Sequence, residues 1–170
     1  MRMKRPNRIY IMGPSGCGKT TLSNKLSKKL KITSYDLDDV FWVKKPIKKR
    51  GEKLLKPRLK KLIQKKKWII EGVFHSWIDS AIEKSDLIVL IDISPRILSW
   101  RLFRRYLKRK FKGEPEGDFK DILKLIKYSR LYSKKQSNLY KFHQKLISRK
   151  KHQIITIRNN RQLRKFLEEI

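Results

Sequence analysis

The sequence predicts an α/β fold: a three-layer α/β/α domain on a five-stranded parallel sheet. Three observations point to it. Short β-branched runs alternate with amphipathic segments along the chain, and such alternation implies right-handed crossovers and a parallel sheet covered on both faces. The run DLIVLIDI, Asp86 to Ile93, is almost wholly apolar, as a strand buried on both faces must be. The third is GPSGCGKTT, Gly13 to Thr21, a glycine-rich stretch between an apolar run and an amphipathic one.

Each element has its own signal. Arg8 to Met12 reads as the first strand, and Lys19 to Leu30 as a helix with Leu22, Leu26 and Leu30 on one face. Ile32 to Asp36 is a second strand ending in DLDD. Residues 44–56, KKPIKKRGEKLLK, read as a charged loop, after which Pro57 suits the first turn of a helix to about Lys67 with Leu59, Leu62 and Ile63 inward. WIIEGV, Trp68 to Val73, is a third strand, Ser76 to Lys84 a short helix and Asp86 to Ile93 the fourth strand. Pro95 opens a helix to about Lys110, and FKGEPEG, Phe111 to Gly117, is a Gly/Pro loop. Asp118 then caps a long helical region to about Arg149, with Ser137-Asn138 as a possible break. Gln153 to Ile157 is the fifth strand, and Asn160 caps a last helix with Leu163, Phe166, Leu167 and Ile170 on one face. No internal repeat and no boundary divides residues 1–170, so one domain is expected.

Composition bounds the function. Lys and Arg number 46 against 15 Asp and Glu, a formal charge of +31. Such a charge draws polyanions, which makes nucleic acid a partner class to weigh. Lysine enrichment as adaptation to heat or as plain compositional bias, and a basic surround to a phosphate site, are the competing readings. The 39% of apolar residues falls in periodic segments, which speaks against disorder. A lone Cys17 excludes an internal disulfide and fits a reducing cytoplasm. The run IYIM is too short for a signal-peptide core, and no run approaches the roughly 18 apolar residues of a membrane span. A soluble, cytoplasmic protein with no membrane partner is expected. His75, His143 and His152 lack metal-ligand spacing. Trp68, Trp77 and Trp100 read as core, and Trp42, just after LDDVF, is placed to meet a substrate ring.

The glycine-rich stretch carries the chemistry. Gly13, Gly18, Lys19 and Thr20 match G-x-x-x-x-G-K-[ST], the phosphate-binding P-loop. Gly13, Gly16 and Gly18 let the backbone turn so that successive N–H groups face one point, and the helix that follows adds its positive end. Gly13, Pro14, Ser15, Gly16, Cys17, Gly18, Lys19, Thr20 and Thr21 form the expected cradle for ATP. Lys19 can reach the β- and γ-phosphates, and the Thr20 hydroxyl can ligate Mg²⁺. Cys17 sits at a permissive position and reads as packing. Asp36, Asp38 and Asp39 lie at the C-terminal end of the second strand, where open α/β sheets bind ligands. Asp38 can position or deprotonate an acceptor hydroxyl, and Asp36 can hold a magnesium-bound water; balancing nearby lysines or capping a helix are the alternatives. Arg101, Arg105 and Lys108 share a helical face.

Five stretches resemble the topology modulation protein family, adenylate-kinase-related P-loop proteins: GPSGCGKTTLSNKLSKKL, LDDVFW, WIIEGV, SDLIVLIDISPRILSWRLFRRYLKR and ITIRNNRQLRKFL. Together they cover nearly the whole chain. The resemblance implies an adenylate/shikimate kinase-like fold with a lid-like segment around residues 101–120. With Lys19 and Asp38 read as catalytic from the motif and the strand end, it adds catalytic roles for Arg101 and Arg105, which would neutralise the migrating phosphoryl group; a solvated basic face is the alternative. Glu71 ends a buried strand, where an acidic residue of many P-loop enzymes orients a magnesium-bound water and where a solvated strand-end charge is the alternative. The resemblance places Arg158 near the adenine, with a helix cap by Asn160 as the alternative. Two departures stand out. Family members commonly carry Asp-Gly and a polar residue where this chain has Glu71-Gly72-Val73-Phe74. The Gly-rich segment that shikimate kinases place after their third strand is missing, which argues against shikimate as acceptor.

The reading is therefore an ATP- and Mg²⁺-dependent kinase acting on a nucleotide, nucleoside or other small hydroxyl compound. The alternative is a nucleic-acid-associated P-loop ATPase or nucleic-acid-binding protein, supported by the charge and by the basic run from Lys44 to Lys67.

Overall fold

The structure is a computed structural model that describes residues 5–44, 48–74, 77–113, 119–148 and 153–170. In chain order the strands are β1 (Arg8–Met12), β2 (Ser34–Asp36), β3 (Trp42–Lys44), β4 (Lys48–Lys49), β5 (Trp68–Glu71), β6 (Leu87–Ile91) and β7 (Ile154–Ile157). The helices are α1 (Lys19–Leu30), α2 (Leu37–Phe41), α3 (Glu52–Ile63), α4 (Asp79–Lys84), α5 (Pro95–Phe111), α6 (Phe119–Ser133), α7 (Asn138–Ser148) and α8 (Asn160–Glu169).

The expected five-stranded parallel sheet is present, in the order β2-β5-β1-β6-β7. Alternation along β1 sorts its side chains into two cores. Ile9 and Ile11 face Leu22 and Leu26 of α1, Leu98 of α5 and Phe166 of α8. Tyr10 and Met12 face Leu55, Leu59 and Ile63 of α3, Ala81 and Ile82 of α4, and Leu146 and Ile147 of α7. Those two cores make the three layers. A smaller cluster, Leu102, Tyr106 and Ile122, joins α5 to α6.

Some boundaries differ from expectation. Residues 44–56 are not one loop: β3 and β4 pair antiparallel, and α3 begins at Glu52, so Pro57 lies inside the helix rather than in its first turn. Leu55, Leu59 and Ile63 recur at four-residue spacing and are all buried, and burying Leu55 rewards a helix turn upstream of the proline. The fourth strand begins after Asp86, whose carboxylate accepts the backbone N–H groups of Asn7 and Arg8 at 2.9 Å each. The last helix is capped by Asn159, not Asn160: the Asn159 side chain accepts from the Gln162 backbone N–H at 2.9 Å. Trp100 is not core. It is 62% exposed, because Leu98, Leu102 and Tyr106 take the buried face of α5. The long helical region breaks between α6 and α7, where Lys135 adopts a left-handed φ of 64°. Asp118, Arg149, His75, Ser76, His152 and most of the Gly/Pro loop lie outside the described residues.

Candidate functional site

The five strands of the main sheet run in one direction, so their C-terminal ends form one rim. β1 lies at the centre, with β5 on one side and β6 on the other, and the segment after β1 opens over that junction. This is where open α/β sheets bind ligands. A cleft of about 1010 Å³ lies there. Its floor is Ser15 to Leu22. Toward the β7 edge it is lined by Ile157, Asn159, Asn160 and Leu163; toward the β2 edge by Asp36, Asp38, Phe41, Trp42 and Phe74. Arg101, Arg105, Leu125 and Tyr128 close it from α5 and α6.

The loop has the geometry its glycines predict. Gly13 has φ 150° and its missing Cβ would lie 2.6 Å from the Ile91 carbonyl oxygen, so the turn out of β1 is pressed against the end of β6. At Gly16, φ 81°, a Cβ would meet the Leu102 side chain at 2.9 Å; the loop rests directly on α5. The Lys19 ammonium donates to the carbonyls of Gly13 at 3.1 Å and Pro14 at 3.2 Å, which tethers it across the loop. Cys17 is buried in the core beside Ile11 and Leu98, and burial pushes its thiol pKa up, the condition of a packing residue rather than a nucleophile. The Arg101 guanidinium donates to the Cys17 carbonyl at 3.0 Å and so sits on the loop's rim.

The acidic residues meet through sheet register. Asp36, the last residue of β2, is the Cα partner of Glu71, the last residue of β5, and Ile11 of β1 is the next partner across. The Thr20 hydroxyl donates to Glu71 Oε1 at 2.5 Å. Thr20 and Glu71 are thus joined across 51 positions of sequence, and Glu71 is only 3% exposed. Asp36 caps α2, its carboxylate accepting the Asp38 N–H at 2.8 Å, so the capping reading holds for its side chain while the residue still lines the cleft. Asp38 also lines the cleft; Asp39 does not. Among the described residues no cluster of three His, Cys, Asp or Glu could hold a metal by itself. A hydroxyl, a buried carboxylate and a neighbouring carboxylate are nevertheless hard oxygen donors, the set that suits Mg²⁺ sharing its remaining positions with phosphate and water.

Burial pushes the Glu71 carboxyl above the ordinary range. The Thr20 hydrogen bond and Lys19 oppose this, and Asp36 and Asp38 add to it. The folded chain therefore holds that proton more tightly than the unfolded one. Stability falls as pH rises from the ordinary carboxylate value through the raised one, then levels off. Glu71→Gln, which keeps an oxygen for Thr20, is expected to be more stable than the native chain above that window and to lose the advantage below it. Thermal melts of both from about pH 4 to pH 8 check this; equal melting temperatures at neutral pH contradict it.

The cleft gathers Ser15, Gly16, Cys17, Gly18, Lys19, Thr20, Thr21, Asp36, Asp38, Glu71, Arg101 and Arg105. Gly13 and Pro14 hold the loop from behind. Arg158 is not brought in: its guanidinium turns to Asp92 at 3.8 Å, and its neighbours Asn159 and Asn160 line the cleft instead. Phe41, Phe74, Leu125 and Tyr128 line the cleft without a sequence signal of their own. His143 is fully buried, its ring hydrogen-bonded to the Tyr132 hydroxyl at 2.8 Å and to the Phe74 carbonyl at 3.2 Å, and so ties α6 and α7 to the cleft wall. Its spacing from Leu139 and Leu146 was the available signal.

Comparison with solved structures agrees on the fold. A shikimate kinase from Bacteroides thetaiotaomicron superposes with a TM-score of 0.60 at 20% identity, covering 96% of each chain. A gluconokinase from Sinorhizobium meliloti gives 0.58 at 14% identity, covering 98% of this chain and 90% of that one. A shikimate kinase from Acinetobacter baumannii, in complex with shikimate, gives 0.59 at 18%, covering 96% and 89%. At those identities the likeness is one of fold: the P-loop α/β fold of small-molecule kinases. By sequence the chain is 37% identical over 107 residues to an uncharacterized Bacillus subtilis protein, YqaC. It spans 58% of that relative's length. A 37-residue stretch is 50% identical to a shikimate kinase of Rhodopirellula baltica, 20% of that protein. Residues 9–118, more than half of the chain and all of the loop, the three cleft acids and both cleft arginines, match AAA_18, an AAA domain, and the chain belongs to that family of P-loop proteins.

Proposed function

We propose that the protein is an ATP-dependent phosphotransferase, a small P-loop kinase, acting on a nucleotide, nucleoside or other small hydroxyl compound. One observation carries the reading: the loop lysine and threonine share one cleft with Glu71, Asp38 and two arginines, and Thr20 is hydrogen-bonded to Glu71. Phosphoryl transfer asks for positioning and charge neutralisation more than for covalent chemistry, and this set supplies both. In the proposal the loop N–H groups and Lys19 hold the β- and γ-phosphates of ATP. Thr20, Glu71 and Asp36 would hold Mg²⁺, which would supply the charge that neutralises the phosphates. Asp38 orients the acceptor hydroxyl and takes its proton. Arg101 and Arg105, on α5 within the lid-like segment around residues 101–120, meet the charge that develops on the transferring group. The resemblance to the topology modulation proteins fits this assignment of LDDVFW and WIIEG. A panel of candidate acceptors incubated with γ-labelled ATP and Mg²⁺ tests it: label in an acceptor is expected, and hydrolysis alone with every acceptor is the contrary result.

The nucleic-acid reading has less support. Exposed basic residues coat both faces of the sheet: Lys25, Lys28 and Lys29 on α1 and Arg164 and Lys165 on α8 on one side, Lys56, Lys60 and Lys61 on α3 on the other. Basic residues on both faces fit a property of composition; a nucleic-acid track would gather on one face. DNA or RNA is expected to bind weakly, on the order of 10⁻⁴–10⁻⁶ M near physiological salt, without sequence preference and with steep salt dependence. ATP turnover should not respond to it. Fluorescence anisotropy across a salt series and ATPase assays with added DNA or RNA check this; tight, salt-resistant binding or stimulated hydrolysis would put nucleic acid first. Among the described residues no helix is long and apolar enough to cross a membrane.

A further inference from the structure

We infer that the acceptor is a hydroxyl compound carrying a flat unsaturated ring, of the nucleoside class, and that Phe41, Trp42 and Phe74 are its specificity-determining residues. The inference rests on the phosphotransferase reading and narrows it.

The argument begins with the two ends of the cleft. The loop after β1 divides them, and the sheet order sets β7 at one edge and β2 at the other. At the β7 end the lining is Ile157, Asn159, Asn160 and Leu163, a mixed wall with amide groups. At the β2 end it is aromatic. Phe41 and Phe74 approach with ring centroids 4.9 Å apart at 38°, and Trp42 stands edge-on to Phe41 at 5.0 Å and 86°. All three rings line the cleft and are half-buried. Phe74 is fixed from behind: Trp77 lies 5.1 Å from its ring, and His143 holds its carbonyl. A wall of rings held in fixed planes is a stacking surface, and stacking is tolerant of which ring it meets.

The carboxylates sit beside that wall in a useful place. Asp38 and Phe41 are spaced i and i+3 on α2, so they share one face, and Trp42, the first residue of β3, packs edge-on against Phe41. A ring lying on Phe41 therefore brings a substituent about one helical turn away to Asp38. A hydroxyl there is what the transfer step requires. The bond between the γ-phosphorus and the bridging oxygen of ATP breaks, its electron pair leaving on ADP. The hydroxyl oxygen forms the new phosphorus–oxygen bond, and its proton passes to Asp38.

Charge separates this class from the acids. Asp36, Asp38 and the buried Glu71 gather at the β2 end, with Asp36 and Glu71 in register on adjacent strands. With Asp36 and Glu71 assigned to Mg²⁺ and Arg101 and Arg105 to the transferring group, Asp38 is the acid that faces the acceptor. An acceptor carboxylate beside the ring wall would be repelled by it, and a neutral nucleoside would not. Polyhydroxy acids also gain little from the two phenyl rings, which offer them no hydrogen-bond donors or acceptors, and Trp42 adds one N–H donor.

The test uses the full chain with Mg²⁺ and a non-hydrolysable ATP analogue. Calorimetric titrations compare adenosine, guanosine, cytidine and thymidine with shikimate and gluconate. Label transfer from γ-labelled ATP is measured in parallel. At least one nucleoside is expected to bind and to be labelled, and neither acid to compete. Trp42→Leu and Phe74→Leu should each weaken nucleoside binding about tenfold and leave binding of the ATP analogue within twofold. Trp100→Leu, at an exposed site outside the cleft, should change neither. Three results overturn the inference: no nucleoside binds, either acid binds better than every nucleoside, or the ring variants leave nucleoside affinity unchanged. Ring-dependent nucleoside binding without label transfer to any acceptor would keep the pocket and remove the kinase reading. Label transfer to a ringless acceptor would do the reverse.

Discussion

Asp38→Asn is expected to lower phosphoryl transfer about 10²–10⁴-fold, the range a positioned general base supplies, while ATP affinity stays within a few-fold of the native value. Asp38 is exposed and lines the β2 side of the cleft, away from the loop that would hold the phosphates. The amide keeps the size and one acceptor oxygen but cannot take the proton. The local fold should survive, because the α2 cap uses the Asp38 backbone N–H and the Asp36 carboxylate, neither of which the substitution touches. ATP binding and turnover at saturation must be measured separately. Affinity that collapses while saturated turnover stays normal would assign Asp38 to the nucleotide or to the structure.

Lys19→Ala should cost about 10²–10³-fold in turnover, by analogy with removing one preorganised donor from a developing charge, and more if the ammonium also anchors the ground-state phosphates. Its ammonium donates to two carbonyls of its own loop, Gly13 and Pro14, and otherwise acts on Glu71 through charge alone, so the substitution loses mainly local contacts. The variant should fold, with an unchanged far-ultraviolet spectrum and a melting temperature close to that of the native chain. A folded, monodisperse Lys19→Ala protein turning over at the native rate would remove the phosphate cradle from the mechanism.

The locally encoded parts of the fold were legible in the residues. The loop between β1 and α1 could be read because three glycines, a lysine and a threonine at fixed offsets serve one backbone conformation, and because an apolar run and a 3.6-residue period flank it. The buried strand β6 could be read from LIVLI alone. Other features were legible only in part. Pro57 looked like a helix start by its backbone preference, but the spacing of Leu55, Leu59 and Ile63 decided otherwise, since packing outweighs a single residue's propensity. Trp100 looked like core by residue type, and the helix turned it outward because three neighbouring apolar residues already filled the inner face. Arg158 follows β7 as expected, yet Asp92 at the end of β6 draws its side chain away from the cleft.

By itself the sequence determined the P-loop, the parallel sheet with helices on both faces, the acids at strand ends and the arginines along one helix. Those rest on periodicity and on short spacings, which depend only on near neighbours along the chain. The tertiary structure alone decided which of those groups touch. Thr20 meets Glu71 because β5 lies beside β1 with Ile11 opposite Glu71, and Asp36 joins them because β2 lies on the other side of β5 in matching register. Phe74 reaches the cleft because His143, 69 residues later, holds its carbonyl. Periodicity reports that a face is buried, but not against what. Strand order and register supply the partner, and they are set by how the whole core packs.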